Sequence, residues 1–289
     1  EVYVVSDREK QAWRILPKER YPKGLIFHDG RLAFRPEPLN MLVMFMWFPF
    51  SILFSISRIA IAITMPYDAS IPILSFTGLH VRLTNNKSTS NLTSLDHKQH
   101  KGSLYVCNHR TLLDPLYLSF ALKKPFVAVT YSLSRMSEII SPIKTVRLTR
   151  DRKQDAKTMD KMLKLGDLVV CPEGTTCREP YLLRFSPLFA ELSDHIVPVA
   201  LDTYVSMFHG TTAGGLKCLD PFMFMMNPCT VYRVRFLDQV HGSDSSSTRF
   251  DVANHVQSEI GKTLKFQCTS LTRKDKYLVL AGNDGFVTK

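Results

Sequence analysis

Short apolar runs alternate with helical segments through the middle of the chain, and this order restricts the fold more than any other feature. Five of the runs read as buried strands: residues 104–107, 126–131, 145–148, 167–171 and 196–201. Between them, residues 155–165 space their apolar side chains as a helix does. Strands that alternate with helices at this pitch pair in parallel and are covered by the helices. The sequence therefore predicts an α/β fold with a mainly parallel sheet flanked by helices.

An apolar stretch near the N-terminus predicts a membrane-associated helical segment. Residues 39–57 contain no charged side chain, and the apolar character resumes after Arg58. A helix needs about 20 such residues to cross hydrocarbon, but Pro49 interrupts this one and Arg58 would be costly at the bilayer centre. We therefore expect two helices that join near Pro49 and dip into one leaflet. A buried helical hairpin of a soluble core is the alternative.

The charge balance favours anionic partners. Lys and Arg number 37 against 26 Asp and Glu, which gives a formal net charge of +11. Phosphorylated metabolites, an anionic bilayer face and nucleic acid all suit such a balance. No basic run with interleaved aromatic residues is present, so we expect no nucleic acid as a partner. The six cysteines form no Cys-x-x-Cys pair and indicate neither a zinc site nor a disulfide framework.

His109 and Asp114 follow the first predicted strand, five residues apart. Asp114 with Pro115 is typical of a helix start, in which Asp supplies the cap and Pro takes the first helical position. A loop between the two side chains could fold the carboxylate back onto the ring. A carboxylate on one ring nitrogen raises the basicity of the other, so His109 could take a proton from a hydroxyl, as acyl transfer requires. Alternatively, the two residues merely lie near one another.

A second polar stretch comes directly after the strand predicted at 167–171. Glu173, Gly174 and Thr175 lie where α/β sheets usually hold ligands, beyond the carboxyl ends of the strands. A turn with a solvated Glu would explain the same residues. The chain has no Gly-x-Ser-x-Gly elbow, which argues against a serine hydrolase. The substrate's own alcohol would then attack a thioester directly, with no acyl-enzyme.

Arginine residues follow the strand predicted at 145–148. Arg150 at a strand end could grip a phosphate with two parallel hydrogen bonds. Arg147, Arg152 and Arg178 are candidate helpers, although each alone is more typical of a surface charge. The strand predicted at 196–201 contains Pro198, which predicts a sheet edge or a bulge near a site.

Taken in chain order, these stretches resemble the four motifs of the glycerolipid acyltransferase superfamily. The matches are Asn-His-x-x-x-x-Asp at 108–114, a second motif ending at Arg150, Pro-Glu-Gly-Thr at 172–175 and a fourth motif around Pro198. Residues 171–192, together with Thr-Arg-Lys-Asp-Lys-Tyr at 272–277, are further similar to the land-plant glycerol-3-phosphate acyltransferases of the cutin and suberin type. The second motif departs from the superfamily pattern, because Arg147-Leu148-Thr149 precedes Arg150.

The resemblance implies an activity and roles for the motif residues. An acyl group would pass from acyl-CoA, a co-substrate, to a hydroxyl of glycerol 3-phosphate, mostly at sn-2, in contact with lipid of the endoplasmic reticulum membrane. His109 would remove the hydroxyl proton while Asp114 orients the ring. The residues implied for the acceptor are Arg150, Arg147 and Arg178 for its phosphate, and Glu173, Gly174 and Thr175 for the shape of its pocket. No cofactor and no metal is expected.

The resemblance also implies a domain order. Residues 1–38 would be a linker from an upstream phosphatase-like domain, residues 39–66 the membrane-associated helices and residues 67–289 the acyltransferase domain. This chain has no paired-Asp phosphatase motif, so lysophosphatidic acid rather than monoacylglycerol is the expected product. Two alternatives remain. They are a lysophospholipid acyltransferase and a catalytically silent lipid- or CoA-binding module with the same fold.

Overall fold

The computed structural model describes residues 25–85, 102–130, 138, 141–149, 151–193, 195–241 and 248–282. Its strands are β1 Leu79–Asn85, β2 Leu104–Cys107, β3 Val127–Thr130, β4 Lys144–Arg147, β5 Leu168–Val170, β6 Tyr181–Leu182, β7 His195–Val205, β8 Thr230–Phe236, β9 Val240–His241 and β10 Gln267–Cys268. Its α-helices are α1 Pro38–Thr64, α2 Tyr67–Phe76, α3 Asp114–Leu122, α4 Arg152–Leu163, α5 Asp220–Met225, α6 Arg249–Leu264 and α7 Arg273–Ala281. Two short 3₁₀ helices span Pro187–Glu191 and Lys217–Leu219.

One eight-stranded sheet organises the described residues. Its strands follow the order β1-β8-β7-β2-β5-β3-β4, and β9 pairs with β7 beside that path. The ladders from β7 to β4 are parallel, as is the ladder between β1 and β8, whereas β7 pairs with β8 and β9 antiparallel. Strands β6 and β10 form a separate parallel pair. The predicted mainly parallel α/β sheet is confirmed.

Helices cover both faces of this sheet, so its central strands are apolar on both sides. Along β2, Leu104 and Val106 pack in a core with Met159 of α4 and with the α6 face that carries Val256. Tyr105 and Cys107 point to the opposite face, into a second core that contains side chains of α3 and α2. All four β2 residues are buried. This explains why the predicted strand at 104–107 reads as a continuous apolar run.

The expected break near Pro49 does not occur, and α1 is one helix from Pro38 to Thr64. Pro49 has no backbone N–H to donate to the preceding turn, but contacts on both sides of Pro49 keep the helix continuous. Trp47 and Phe54 place their ring centroids 5.4 Å apart across the proline. Trp47 Nε1 also donates to the Met226 carbonyl at 2.8 Å, and the Ser55 hydroxyl donates to the Phe222 carbonyl at 2.9 Å. Packing against the α5 region therefore offsets the missing bond.

Arg58 is fully buried and belongs to the face of α1 that meets the protein body. Its Nη1 donates to the carbonyls of Met225 at 2.5 Å and Asn227 at 2.7 Å, and its Nε donates to the Thr77 hydroxyl at 3.1 Å. The charge is therefore spread over carbonyl dipoles inside the protein. The outer face of α1 is exposed and apolar; it carries Leu39, Leu42, Val43, Phe45, Met46, Phe48, Phe50, Leu53, Phe54, Ile56 and Ile63.

Pro198 lies in the centre of the sheet, so the prediction that it marks a sheet edge is wrong. It sits in β7 opposite Val106 of β2. On the other side of β7, pairing with β8 ends at Val199 and pairing with β9 begins at Ile196. The Pro198 carbonyl accepts from Leu237 N at 3.0 Å in the gap between these partners. A missing N–H is tolerated there because the ladder changes partner at that point.

Candidate active site

The predicted histidine loop and the loop with Glu173 leave neighbouring parallel strands. Val106 of β2 is in register with Val170 of β5, so both chains emerge side by side at the carboxyl edge of the sheet. Asn108 fastens the first loop, because its side-chain amide exchanges two hydrogen bonds with the backbone of Leu201 on β7, at 2.9 and 2.7 Å. The Cys177 N–H donates to the His109 carbonyl at 2.6 Å. The two loops are thus tied to each other.

The loop between His109 and Asp114 turns so that their side chains meet. Nδ1 of His109 lies 2.7 Å from Oδ2 of Asp114. The same carboxylate accepts from the backbone N–H groups of Arg110 at 2.6 Å and Thr111 at 3.0 Å, and from the Tyr232 hydroxyl. The helix start is predicted one residue too late: Leu113 occupies the cap position, and Asp114 rather than Pro115 is the first residue of α3. A carboxylate with this many donors holds the ring in one orientation and leaves Nε2 for a substrate.

The surroundings of His109 set its proton affinity. Its side chain is only 15% exposed, and burial alone would lower its pKa. The hydrogen bond to Asp114 and the negative charge of that carboxylate oppose this effect, and the pKa of His109 is raised well above the usual 6.5. A raised pKa means a stronger base once the ring is neutral.

Glu173 supports the histidine from behind. Its carboxylate is 4% exposed and accepts from the His109 backbone N–H at 2.8 Å and from the Leu183 N–H at 3.0 Å. Burial raises its pKa to about 7. The neighbouring Gly174 has φ +68°, in the left-handed region that favours glycine. In the described part of the chain, Glu173 thus positions the backbone of His109, whereas Gly174 and Thr175 line the cavity in front of it.

A mostly apolar cavity of about 510 Å³ opens onto His109. One wall comes from the C-terminal half of α1, with Ile59, Ala62 and Ile63. The strand ends and covering helices supply further apolar wall, including Leu113, Leu116, Ile143, Leu148, Met159, Leu188 and Phe189. The same cavity therefore joins the apolar helix to the histidine. This size and lining suit a ligand with a long apolar part.

The predicted phosphate-binding arginines lie in different places. Arg150 is outside the described residues. Arg147 is half-exposed at the sheet edge, where it pairs with Glu138 at 2.8 Å beside a separate surface cavity. Arg178 donates to the carbonyls of Gly30 at 2.7 Å and Asp29 at 3.0 Å, so it ties the N-terminal segment to the loop. Their roles in substrate binding stay predictions.

Several polar residues of the site were missed by the sequence reasoning. Tyr232, whose hydroxyl donates to Asp114, follows the every-second-residue burial of β8, and that pattern was the one available signal. Lys217, Arg273 and Tyr277 line the cavity from the C-terminal third of the chain. Arg273 and Tyr277 lie in the stretch 272–277 that carries part of the family resemblance, but no local pattern assigns them or Lys217 to this site, because their segments are distant from the histidine loop in the chain.

One group in the described part of the chain offers metal-ligand geometry. Ligand atoms of His109, Asp114 and Cys171 lie within 4.8 Å of one another. The Asp114 oxygens already accept hydrogen bonds from two backbone N–H groups, a tyrosine and the ring itself. Cys171 Sγ lies 3.4 Å from Cys107 Sγ, and this hydrogen bond together with burial raises the pKa of Cys171 well above its usual value. A neutral thiol is a poor metal ligand, so this donor set is better suited to proton transfer.

Comparison with known proteins adds a family to this geometry. The Acyltransferase family matches residues 84–202, which include His109, Asp114 and the Glu173 loop. The matched range contains β2, β5 and the two loops that build the site. A crystal structure of the 1-acyl-sn-glycerophosphate (LPA) acyltransferase PlsC from Thermotoga maritima aligns with a TM-score of 0.45 at 13% identity, over 78% of this chain and 95% of that one.

Relatives with higher identity come from plants. Probable glycerol-3-phosphate acyltransferase 2 of Arabidopsis thaliana is 58% identical over 299 residues, which cover 100% of this chain and 56% of the relative. Glycerol-3-phosphate acyltransferase 1 of the same plant is 54% identical, with 99% and 49% covered. Glycerol-3-phosphate acyltransferase RAM2 of Petunia hybrida is 49% identical, with 100% and 60% covered. The chain thus spans about half the length of the curated relatives it matches. Residues 84–202 thus match the Acyltransferase family, and the relatives that match the chain over nearly its whole length are plant glycerol-3-phosphate acyltransferases.

Proposed function

We propose that the chain transfers an acyl group from acyl-CoA to a hydroxyl of glycerol 3-phosphate and releases lysophosphatidic acid. The sn-2 hydroxyl is the proposed acceptor. The observation that carries this proposal is the contact between His109 and Asp114 at the wall of an apolar cavity. The names of the plant relatives support glycerol 3-phosphate as the acceptor. The apolar part of the cavity, from α1 to the histidine, would take the acyl chain.

In the proposed reaction, Nε2 of His109 removes the proton from the acceptor hydroxyl as its oxygen attacks the thioester carbonyl. The new C–O bond forms, the C–S bond breaks, and the CoA thiolate leaves with the proton from the imidazolium. Asp114 stabilises the imidazolium and keeps the ring oriented, because its second oxygen is held by Thr111 and Tyr232. Glu173 keeps the His109 backbone in place. No acyl-enzyme is needed.

The length and composition of α1 support contact with a membrane. Among the described helices, α1 alone is long and apolar enough to cross a membrane, with 27 residues, a mean hydropathy of 1.9 and 17% of its most apolar window buried in the protein. We propose that its exposed face lies in lipid, in the endoplasmic reticulum as the family resemblance implies. An acyl chain would then enter the cavity beside Ile59 and Ile63.

The deciding experiment is acyl transfer by His109→Ala. Without the base, transfer to glycerol 3-phosphate should fall by about 10²-fold to 10⁴-fold, while the variant stays folded. His255→Ala, at an exposed position of α6, is the matched control and should keep full activity. Assays with glycerol 3-phosphate and with lysophosphatidic acid as competing acceptors test the acceptor. Turnover retained in His109→Ala, or a preference for lysophosphatidic acid, would overturn the corresponding part of the proposal.

A further inference from the structure

We propose that Lys217, Arg273 and Tyr277 form a phosphate-binding site within the cavity of His109, which selects a phosphorylated acceptor over a neutral one. This inference rests on the proposed function and names the part of the site that recognises the acceptor. Lys217 lies in the 3₁₀ helix Lys217–Leu219, and the other two residues lie on α7. All three line the cavity that His109 lines.

Charge is the first argument. Among the described residues that line the cavity, Lys217 and Arg273 are the two with a permanent positive charge. The only carboxylate in that described wall, Asp220, is already bound: it accepts from Arg31 Nη1 at 2.8 Å and from the Thr212 backbone N–H at 3.0 Å. The described wall of this mostly apolar cavity therefore carries two cations. An anionic group on a ligand would be drawn to them.

One aromatic ring holds both cations. Lys217 Nζ lies 2.6 Å from the Tyr277 hydroxyl oxygen and 4.3 Å from the centre of its ring. Cζ of Arg273 lies 5.2 Å from the same ring centre. Both cations therefore lie beside the same buried ring, where one anionic group could contact both of them. A guanidinium fork with an ammonium is a donor set that suits a phosphate.

The cluster is fastened to the catalytic loop. Tyr277 hydrogen-bonds the Thr175 side chain, and Thr175 lies in the loop that begins at Cys171 beside His109. Burial alone would raise the pKa of Tyr277, but the hydrogen bonds with Lys217 and Thr175 lower it. One position before Tyr277 on α7, the Lys276 ammonium donates to the Thr176 carbonyl. These contacts hold α7, with Arg273 and Tyr277, at a fixed place relative to the loop that carries Thr175. Lys217 is held there through its hydrogen bond to Tyr277.

This arrangement assigns a role to a helix outside the matched family range, which ends at residue 202. A phosphate bound by Lys217 and Arg273 would set the glycerol backbone in one orientation before attack. Neutral glycerol would lack that anchor and bind weakly. The site would thus act on the choice of acceptor, while His109 acts on the chemistry.

The test is direct binding of glycerol 3-phosphate to the complete chain in detergent micelles, measured by calorimetry without an acyl donor. Lys217→Gln and Arg273→Gln should each raise the Kd at least about tenfold, because each removes a charge-assisted hydrogen bond to the phosphate. Lys274→Gln, exposed and adjacent to Arg273, is the matched control and should leave the Kd unchanged. Arg273→Lys keeps the charge and should restore part of the affinity, which a folding defect would not allow.

Acyl-transfer kinetics on the same variants separate the possible failures. The expected result is a higher KM for glycerol 3-phosphate with an unchanged KM for acyl-CoA. If the acyl-CoA KM rises instead, the cluster binds CoA phosphates and the inference is wrong. If the wild type transfers acyl groups but both glutamine variants bind glycerol 3-phosphate normally, the inference fails and the proposed function stands. If the wild type binds glycerol 3-phosphate through these residues but transfers no acyl group, the proposed function fails and the phosphate-binding site stands.

Discussion

His109 Nδ1 and Asp114 Oδ2 lie 2.7 Å apart across a loop that leaves β2 and enters α3. The loop itself supplies the other partners of the carboxylate, since the N–H groups of Arg110 and Thr111 both donate to it. The acid is therefore held in place by the backbone that presents the histidine. A base built in this way loses little freedom when a substrate binds, which favours catalysis.

The pH dependence of transfer follows from this pair. In the proposed mechanism the base works only when its ring is neutral, so activity should be lost as the pH falls through the raised pKa of His109. The acid limb of the kcat/KM profile should therefore lie above pH 6.5, the usual value for histidine. Asp114→Asn should shift this limb to lower pH and reduce kcat by at least about 10²-fold. A limb that stays in place in Asp114→Asn would belong to another group.

Glu173 gives a prediction on stability. Burial raises its pKa from 4.5 to about 7, so the folded state holds this proton more tightly than the unfolded state. Its contribution to stability is fully present below pH 4.5 and is lost as the pH rises through about 7. Between pH 5 and pH 8 this effect should lower the free energy of unfolding of the wild type by roughly 2 kcal/mol. Glu173→Gln cannot titrate, so the variant should not show this part of the loss.

Urea unfolding in detergent at the two pH values measures this difference. Glu37→Gln, at an exposed position before α1, should keep the pH dependence of the wild type. An identical pH dependence in wild type and Glu173→Gln would show that the buried carboxyl group carries no linked proton.

Arg58 should be essential for the stability of the junction between α1 and the body. Arg58→Met fills similar space but leaves the carbonyls of Met225 and Asn227 buried without their donor. We expect a loss of about 3 kcal/mol or more in the free energy of unfolding. Arg35→Met, at an exposed position, should change it little. Equal thermal unfolding temperatures for the two variants would contradict a structural role for the buried guanidinium.

The exposed face of α1 makes a prediction on membrane binding. Phe45 on α1 and Phe250 on α6 are similarly exposed, at 63% and 54%. Phe45→Asp places a charge where we propose lipid, so co-sedimentation with vesicles of phosphatidylcholine and phosphatidylserine should fall at least about tenfold. Phe250→Asp should leave it unchanged. An equal effect of both substitutions would mean that α1 does not mediate the contact.

The parts of the fold that depend on local pattern could be predicted from the sequence. The run at 104–107 is β2 residue for residue, and the helical spacing at 155–165 falls largely within α4, Arg152–Leu163. Adjacent parallel strands bring the two motif loops together, so the neighbourhood of His109 and Glu173 follows from topology. The loop contact of His109 with Asp114 was likewise foreseen, because a turn after β2 permits it.

What depends on distant partners could not be predicted. The continuity of α1 through Pro49 comes from contacts with Phe222 and Met226, which are far away in the chain. Pro198 fits a central strand because two antiparallel partners meet opposite it. Lys217 and Tyr277 are 60 residues apart, and no local pattern joins them to the histidine loop. In each case the deciding surface is formed only when the chain folds.

The anchoring of Arg58 also has a geometric consequence. Its bonds to Met225 and Asn227 join α1 to the rest of the described protein, so a bilayer that set the depth and tilt of α1 would also set those of the sheet. The opening beside Ile59 and Ile63 would then face a constant level of the lipid. In the proposed function, an acyl chain could then enter the cavity laterally from the lipid without passing through water.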